Sequence, residues 1–351
     1  MAFSDDIIHW YAVHKRELPW RETKDPYVIW LSEVILQQTR VEQGLPYFQK
    51  FLAYYPDVIS FAQAAEDDIL LHWQGLGYYS RARNMHRAAK TVATEYHGVF
   101  PSKYEDLIRL KGVGEYTAAA IASFSADEPK AVVDGNVFRV LARYFGIDEP
   151  INSPKGKRLF LRIAGELLDK SNPGLYNQAI MEFGAMQCKP ESPDCSACVL
   201  RPGCRALIER RVDALPVKIK GRPSRNRYFN YFVVTDGDKL LMNKRGKGDI
   251  WENLYDFPLV ETECPVTVSE LAGHPDVIAC FGTDADLHLL SGPVKHVLSH
   301  QNLVAQFIAA APGEGRIAKK INWDYVFIKE LNTLAKPKLI FSFLKDFMVE
   351  L

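Results

Sequence analysis

Apolar residues recur at spacings of three and four through residues 4–184, and this period predicts a succession of helices. Ile7, Ile8, Trp10, Tyr11 and Val13 give a first helix over residues 4–16, with Ser4 or Asp5 as its cap, and Pro19-Trp20-Arg21 breaks it. Helical spacing resumes over residues 26–54, interrupted around Gly44 and Pro46. A short helix over Ala65–Trp73 and a longer one over Ser80–Tyr96 flank a GLGYY turn. Residues 103–110 and 116–125 form two helical patterns around a Gly-Val-Gly turn, and further helices are expected at about 136–145, 157–169 and 175–184. Beyond residue 228 the texture changes. Phe229–Thr235 is rich in β-formers, Asp236–Lys239 is a hairpin turn leading into Leu240–Asn243, and 287–299 and 302–310 read as strands. Residues 267–281 and Pro337–Leu351 read as helices. The pattern predicts an all-α domain over 1–205, a linker over 206–227 and a smaller α+β domain over 228–351.

A chain of 351 residues has room for two domains of about 100–200 residues each. The acidic start, MAFSDDII, lacks the basic-then-apolar order of a secretory signal. The longest apolar run, Val28–Leu36, is interrupted by Ser32 and Glu33 and is too short to span a bilayer. A cytoplasmic protein without a membrane segment is expected. Lys+Arg and Asp+Glu balance at 43 each, but nine basic and two acidic residues fall within 201–227. That local excess is compatible with phosphate contact, and equally with a solvated connector.

Four of the six cysteines, Cys188, Cys195, Cys198 and Cys204, lie within one loop among Pro, Ser and Gly. Clustered thiols in a cytoplasmic chain suggest a metal rather than disulfides. Zinc loops usually carry two CxxC pairs. One CxxC flanked by single cysteines suits an iron–sulfur cluster better, with zinc as the alternative. The spacing resembles the loop that holds a 4Fe–4S cluster in the endonuclease III-like DNA glycosylases.

Gly112 and Gly114 permit a tight turn, and exposed N–H groups at the start of the following helix favour an anion. Such a contact grips a phosphate without reading sequence. The run LKGVGEYTA resembles the helix–hairpin–helix of the same superfamily, with Lys111 where most relatives have Pro. VDGNVFRV carries Asp134, a natural helix cap whose position fits the superfamily's catalytic aspartate. The resemblance implies that this carboxylate stabilises an oxocarbenium ion at C1′. The lyases of the superfamily place an attacking Lys where this chain has Tyr116, and without that amine no Schiff base forms there. A monofunctional glycosylase needs an acid instead. Glu33, in the most apolar stretch of the chain, is the candidate, because burial should raise its pKa.

LPWR (18–21), SEVILQQTRV (32–41), GLGYYSRARN (75–84) and MEFGA (181–185) together resemble the MutY family of adenine DNA glycosylases over most of residues 1–205. The resemblance implies a multidomain protein: an all-α helix–hairpin–helix glycosylase fold with an Fe–S loop, then an α+β Nudix-like domain. Its partner would be double-stranded DNA containing A:8-oxoguanine or A:G mispairs, bound by a monomer. The adenine is flipped out, Glu33 protonates N7, Asp134 supports the cation, and water adds from the Glu33 side. Tyr116 and Asn136 orient the pair, while Arg21, Trp20 and Glu182 complete the pocket. Gln38 and Thr39 meet the orphaned partner base, and Tyr78 wedges beside it. Residues 228–345 resemble the family's C-terminal domain but contain no Glu-rich Nudix box, so recognition is expected rather than hydrolysis. HVLSHQ (296–301) resembles its 8-oxoguanine-sensing loop, with Leu298 where Phe is usual and Ser299 and His300 carried over. The alternatives are a glycosylase/lyase for oxidised pyrimidines and a non-catalytic Fe–S DNA-binding module.

Overall fold

A computed structural model describes residues 3–221, 223–313, 317–318 and 320–347. Its contacts divide the chain into two compact units, Met1–Gln63 with Asn84–Lys220, and Ala64–Arg83 with Gly221–Leu351. In chain order the helices are α1 (Phe3–His14), α2 (Pro26–Ile35), α3 (Val41–Tyr54), α4 (Val58–Gln63), α5 (Glu66–Trp73), α6 (Ser80–Glu95), α7 (Tyr104–Leu107), α8 (Glu115–Ala126), α9 (Gly135–Phe145), α10 (Pro154–Leu167), α11 (Pro173–Met186) and α12 (Arg205–Ile208). Of these, α5 and the first turn of α6 belong to the second unit.

The first unit is helical, and its caps are written in the sequence. Asp25 accepts from the Tyr27 amide and is followed by Pro26 at the first position of α2. Ser153 and Pro154 open α10 in the same way. Asp134 opens α9 by accepting from the amides of Asn136 and Val137, and Gly146, at φ +67°, closes it. Helix α11 packs against α1, α8 and α9, and α2 packs against α8. Trp10, Leu141, Phe160, Tyr176, Ile180 and Phe183 lie at the heart of one apolar cluster. Gly184 lets α11 approach α9 closely, since a Cβ there would sit 2.7 Å from Asn136 Cβ and 2.9 Å from its carbonyl oxygen.

The break expected near Gly44 and Pro46 falls earlier, in the turn 36–39, and both residues lie inside α3. Pro46, in the second turn of that helix, gives up one i→i−4 hydrogen bond without ending it, and Gly44 makes room for Leu36, whose Cδ2 would be 2.6 Å from an added Cβ. Residues 206–220, expected as linker, group with the first unit, and Ala206 and Leu215 are buried in its core.

The second unit carries the strands β1 (Arg225–Val233), β2 (Thr235–Asp236), β3 (Lys239–Lys244), β4 (Tyr255–Asp256), β5 (Leu259–Thr262), β6 (Asp286–Val297), β7 (Gln301–Ala311) and β8 (Trp323–Phe327). One sheet has the order β5-β1-β7-β6, with β1 parallel to β7 and the other pairs antiparallel. The other has β2-β3-β4, with β8 also paired to β3. Helix α15 (Lys338–Phe347) follows two short helices, α13 (Val268–Ala272) and α14 (Pro275–Phe281). Those two replace the single helix expected over 267–281, because Gly273 ends one and Pro275 starts the next. Residues 348–351 of the expected last helix lie outside the described residues. No described helix is long and apolar enough to cross a membrane.

Candidate active site

A cavity of about 520 Å³ opens in the first unit, and Trp20, Arg21, Glu33, Thr39, Tyr116, Asp134, Asn136 and Glu182 all line it. Helix α2 supplies Glu33, which is only 9% exposed, among residues that are themselves buried. Burial pushes its pKa up to about 7, against the hydrogen bond that Tyr116 Oη donates to Oε2 at 2.9 Å. Tyr116 sits in the first turn of α8, so the hairpin delivers this donor directly to the acid.

Asp134 comes from the start of α9. Its Oδ1 accepts from the amides of Asn136 and Val137 at 2.9 and 2.8 Å, and its Oδ2 accepts from Asn136 Nδ2 at 2.8 Å. Burial raises its pKa in spite of these three bonds. The cap therefore fixes the carboxylate in one rotamer while the cavity wall desolvates it. Arg139, one turn along α9, donates to Asn136 Oδ1 at 2.8 Å, to Gly184 O at 2.6 Å and to Cys188 O at 2.7 Å.

Glu182 behaves in the opposite way. Burial alone would raise its pKa, but Arg16 and Arg21 hold it down at about 2. Arg16 donates its backbone N and Nε to Oε1 at 2.9 and 2.8 Å and Nη2 to Oε2 at 2.7 Å, and Arg21 Nη2 meets Oε2 at 2.7 Å. The cavity thus holds one carboxyl poised near neutrality and one that is permanently charged. Trp20 is buried edge-on against Phe48.

Arg16, Arg139 and Gln178 are among the polar lining residues that the sequence did not single out. Arg16 is the main partner of Glu182, Arg139 supports Asn136, and Gln178 lines the cavity while accepting from Tyr11 Oη at 3.1 Å. Only the basic character of HKRELPWR hinted at Arg16.

Other expected residues lie elsewhere. Gln38 is exposed, with φ +57°, in the turn after α2, and Gln37 beside it donates to Thr117 Oγ1 at 3.2 Å. Gly112, at φ +83°, and Gly114, the cap of α8, form the hairpin and do not line the cavity. A Cβ on Gly112 would stand 2.7 Å from Asn84 Cβ. Tyr78, Ser299 and His300 line a separate cavity of about 600 Å³ in the second unit, with Arg83, Asp249 and Trp251. Tyr78 is also held with φ positive, at +47°, and its hydroxyl is hydrogen-bonded to Ser299 Oγ.

Cys188, Cys195, Cys198 and Cys204 are free thiols, all partly buried. Burial raises the last three, Cys198 to about 11. Among the described residues no three His, Cys, Asp or Glu side chains gather closely enough to hold a single metal ion.

Comparison with known proteins agrees with this architecture. The HhH-GPD superfamily base excision DNA repair protein profile matches residues 31–163, and the NUDIX domain profile matches residues 230–346. The adenine DNA glycosylase of Buchnera aphidicola from Schizaphis graminum is 36% identical over 263 residues, covering 75% of this chain and 76% of that protein. The human adenine DNA glycosylase is 39% identical over 214 residues, 58% of this chain and 39% of that one. Among solved structures, a thermostable thymine-DNA glycosylase matches with a TM-score of 0.55 and 28% identity, over 59% of this chain and 95% of that one. A trapped endonuclease III–DNA covalent intermediate shares the fold, with a TM-score of 0.52 and 21% identity over 59% and 94%. The chain therefore belongs to the adenine DNA glycosylase family, hydrolases of the N-glycosyl bond that act on DNA in base excision repair.

Proposed function

We propose that the protein excises adenine mispaired with 8-oxoguanine or guanine, by hydrolysis and without cutting the strand, with Glu33 as general acid and Asp134 as the electrostatic support. The observation that carries this reading is the pair of carboxyl groups lining one cavity, with burial pushing Glu33 up to about 7. Such a group is a proton donor at physiological pH, where an ordinary Glu is not. Tyr116 Oη occupies Oε2, so the proton to be given away belongs on Oε1. It goes to adenine N7, and the base leaves as a neutral molecule. Positive charge then develops at C1′ and the sugar ring oxygen, where the Asp134 carboxylate, immobilised by its cap, stabilises it without reorganising. Deprotonated Glu33 next orients the water that adds to C1′ and takes its proton, which restores the acid. Glu182, fixed and negative between Arg16 and Arg21, suits it to accept from the exocyclic amine of adenine.

The hairpin of Gly112 and Gly114 grips a phosphate, and Gln38 and Thr39 meet the partner base. In the second unit Tyr78, Ser299 and His300 recognise 8-oxoguanine, and the bond between Tyr78 and Ser299 supports a shared task. The cysteines supply the ligands of a 4Fe–4S cluster, which supports the loop rather than the chemistry. Four cysteines in one loop, a single CxxC flanked by lone cysteines, suit a cubane better than a zinc ion. A monomer in the cytoplasm fits these roles.

The test is Glu33→Gln on an A:8-oxoguanine duplex. Adenine release should fall by at least about a thousandfold, while duplex affinity stays within a few-fold. Release at the wild-type rate would remove Glu33 from the mechanism.

A further inference from the structure

Arg143 has no part in the chemistry above, yet it is 3% exposed and every nitrogen of its guanidinium is engaged. From α9 its Nε donates to Val212 O at 2.9 Å and Leu215 O at 3.1 Å. Nη1 donates to Lys189 O at 2.7 Å and to Cys188 Sγ at 3.5 Å, and Nη2 donates to Pro190 O at 3.0 Å. One side chain thus holds the first cysteine sulfur, the two carbonyls just after it, and two carbonyls beyond the last cysteine. None of these partners is a carboxylate. Among its described partners, the Cys188 sulfur is the one that a bound metal would turn into an anion.

We infer that Arg143 is a positioning residue for the metal loop, with two consequences. It makes loading of the cluster and packing of residues 212–215 a single event, and it draws electron density from the Cys188 sulfur. The inference rests on the reading that the four cysteines hold an iron–sulfur cluster. The same guanidinium bridges the loop carbonyls of Lys189 and Pro190 to those of Val212 and Leu215, so a loop ordered by its metal holds the segment Val212–Leu215 in place through this one side chain. In the other direction, an N–H donated to a ligand sulfur stabilises the more negative, reduced cluster and raises its potential.

The experiment compares iron-loaded wild type with Arg143→Lys and Arg143→Met. Iron content, loss of iron to a chelator and the midpoint potential are measured. Both variants should release iron about tenfold to a hundredfold faster. The potential should fall in Arg143→Met, with Arg143→Lys between it and wild type, a shift that a purely structural role would not produce. Equal potentials in all three proteins overturn the effect on the sulfur. Should the variants fail to fold, wild type alone decides the coupling. Trypsin sites Arg210, Arg211, Lys218 and Lys220 bracket the segment. They should be protected in the loaded protein and cut first after chelation. Unchanged cleavage overturns the coupling. Wild type that carries zinc or no metal after purification from iron-replete cells overturns the cluster reading itself.

Discussion

Glu33 shows how one residue's surroundings set both its reactivity and its cost. Burial moves it to about 7, so the acid-dependent rate should be flat below that pH and fall about tenfold per unit above it. A single-turnover pH profile of adenine release checks this, and a profile flat through pH 9 would contradict it. The same shift carries a linkage penalty. A carboxyl whose folded pKa lies above its unfolded value favours the fold below the unfolded pKa, near 4.5, and loses that contribution as pH rises through about 7. Glu33→Gln, which cannot ionise, should therefore be more stable than wild type by roughly 2–3 kcal/mol at pH 8, with the gain gone near pH 4. Chemical denaturation at the two pH values measures it. At this scale the sequence was informative where the task is local. Asp134 is both cap and carboxylate, and both follow from VDGNVF. Arg16 was not legible, because its task is defined by Glu182, 166 residues away.

Among elements, α2, α8, α9 and α11 carry Glu33, Tyr116, Asn136 and Glu182 to one cavity, and the approach of α11 to α9 depends on a small residue. Gly184→Ala should lower stability by about 1–3 kcal/mol, since its Cβ overlaps the backbone of Asn136, and should slow adenine release through Asp134. Thermal unfolding and single-turnover rates test the two parts, and an unperturbed double result would show that α11 and α9 are not held in contact there. Helix period and caps made most of these elements readable. The failures were at boundaries set by tertiary packing. Pro46 lies inside α3 in spite of its missing N–H, and strands β4, β5 and β8 are too short or too irregular to show a period.

For the whole molecule, chain order was a poor guide to membership. Residues 64–83 precede most of the glycosylase helices, yet they pack with the C-terminal strands. Lys244 pairs with Asp67 at 2.8 Å, the Lys336 amide donates to Gln74, and Arg83 donates to Glu252 O. These are long-range polar contacts that no periodicity reveals. They put Tyr78 into the same cavity as Ser299 and His300. Ser299→Ala should accordingly reduce preference for A:8-oxoguanine over A:G by about tenfold while leaving excision from A:G nearly unchanged, as expected for one lost hydrogen bond of about 1.4 kcal/mol. Paired single-turnover rates on the two duplexes report it, and equal losses on both would assign Ser299 to general folding.

The central claim is that a buried acid and a capped aspartate remove adenine with water alone. It is tested most directly by incubating the protein with an A:8-oxoguanine duplex and following free adenine and strand breaks together. Adenine should be released from an intact strand, which breaks only after added alkali, and borohydride should trap no adduct. Strand cleavage without alkali, accompanied by a borohydride-trapped protein–DNA adduct, would contradict it.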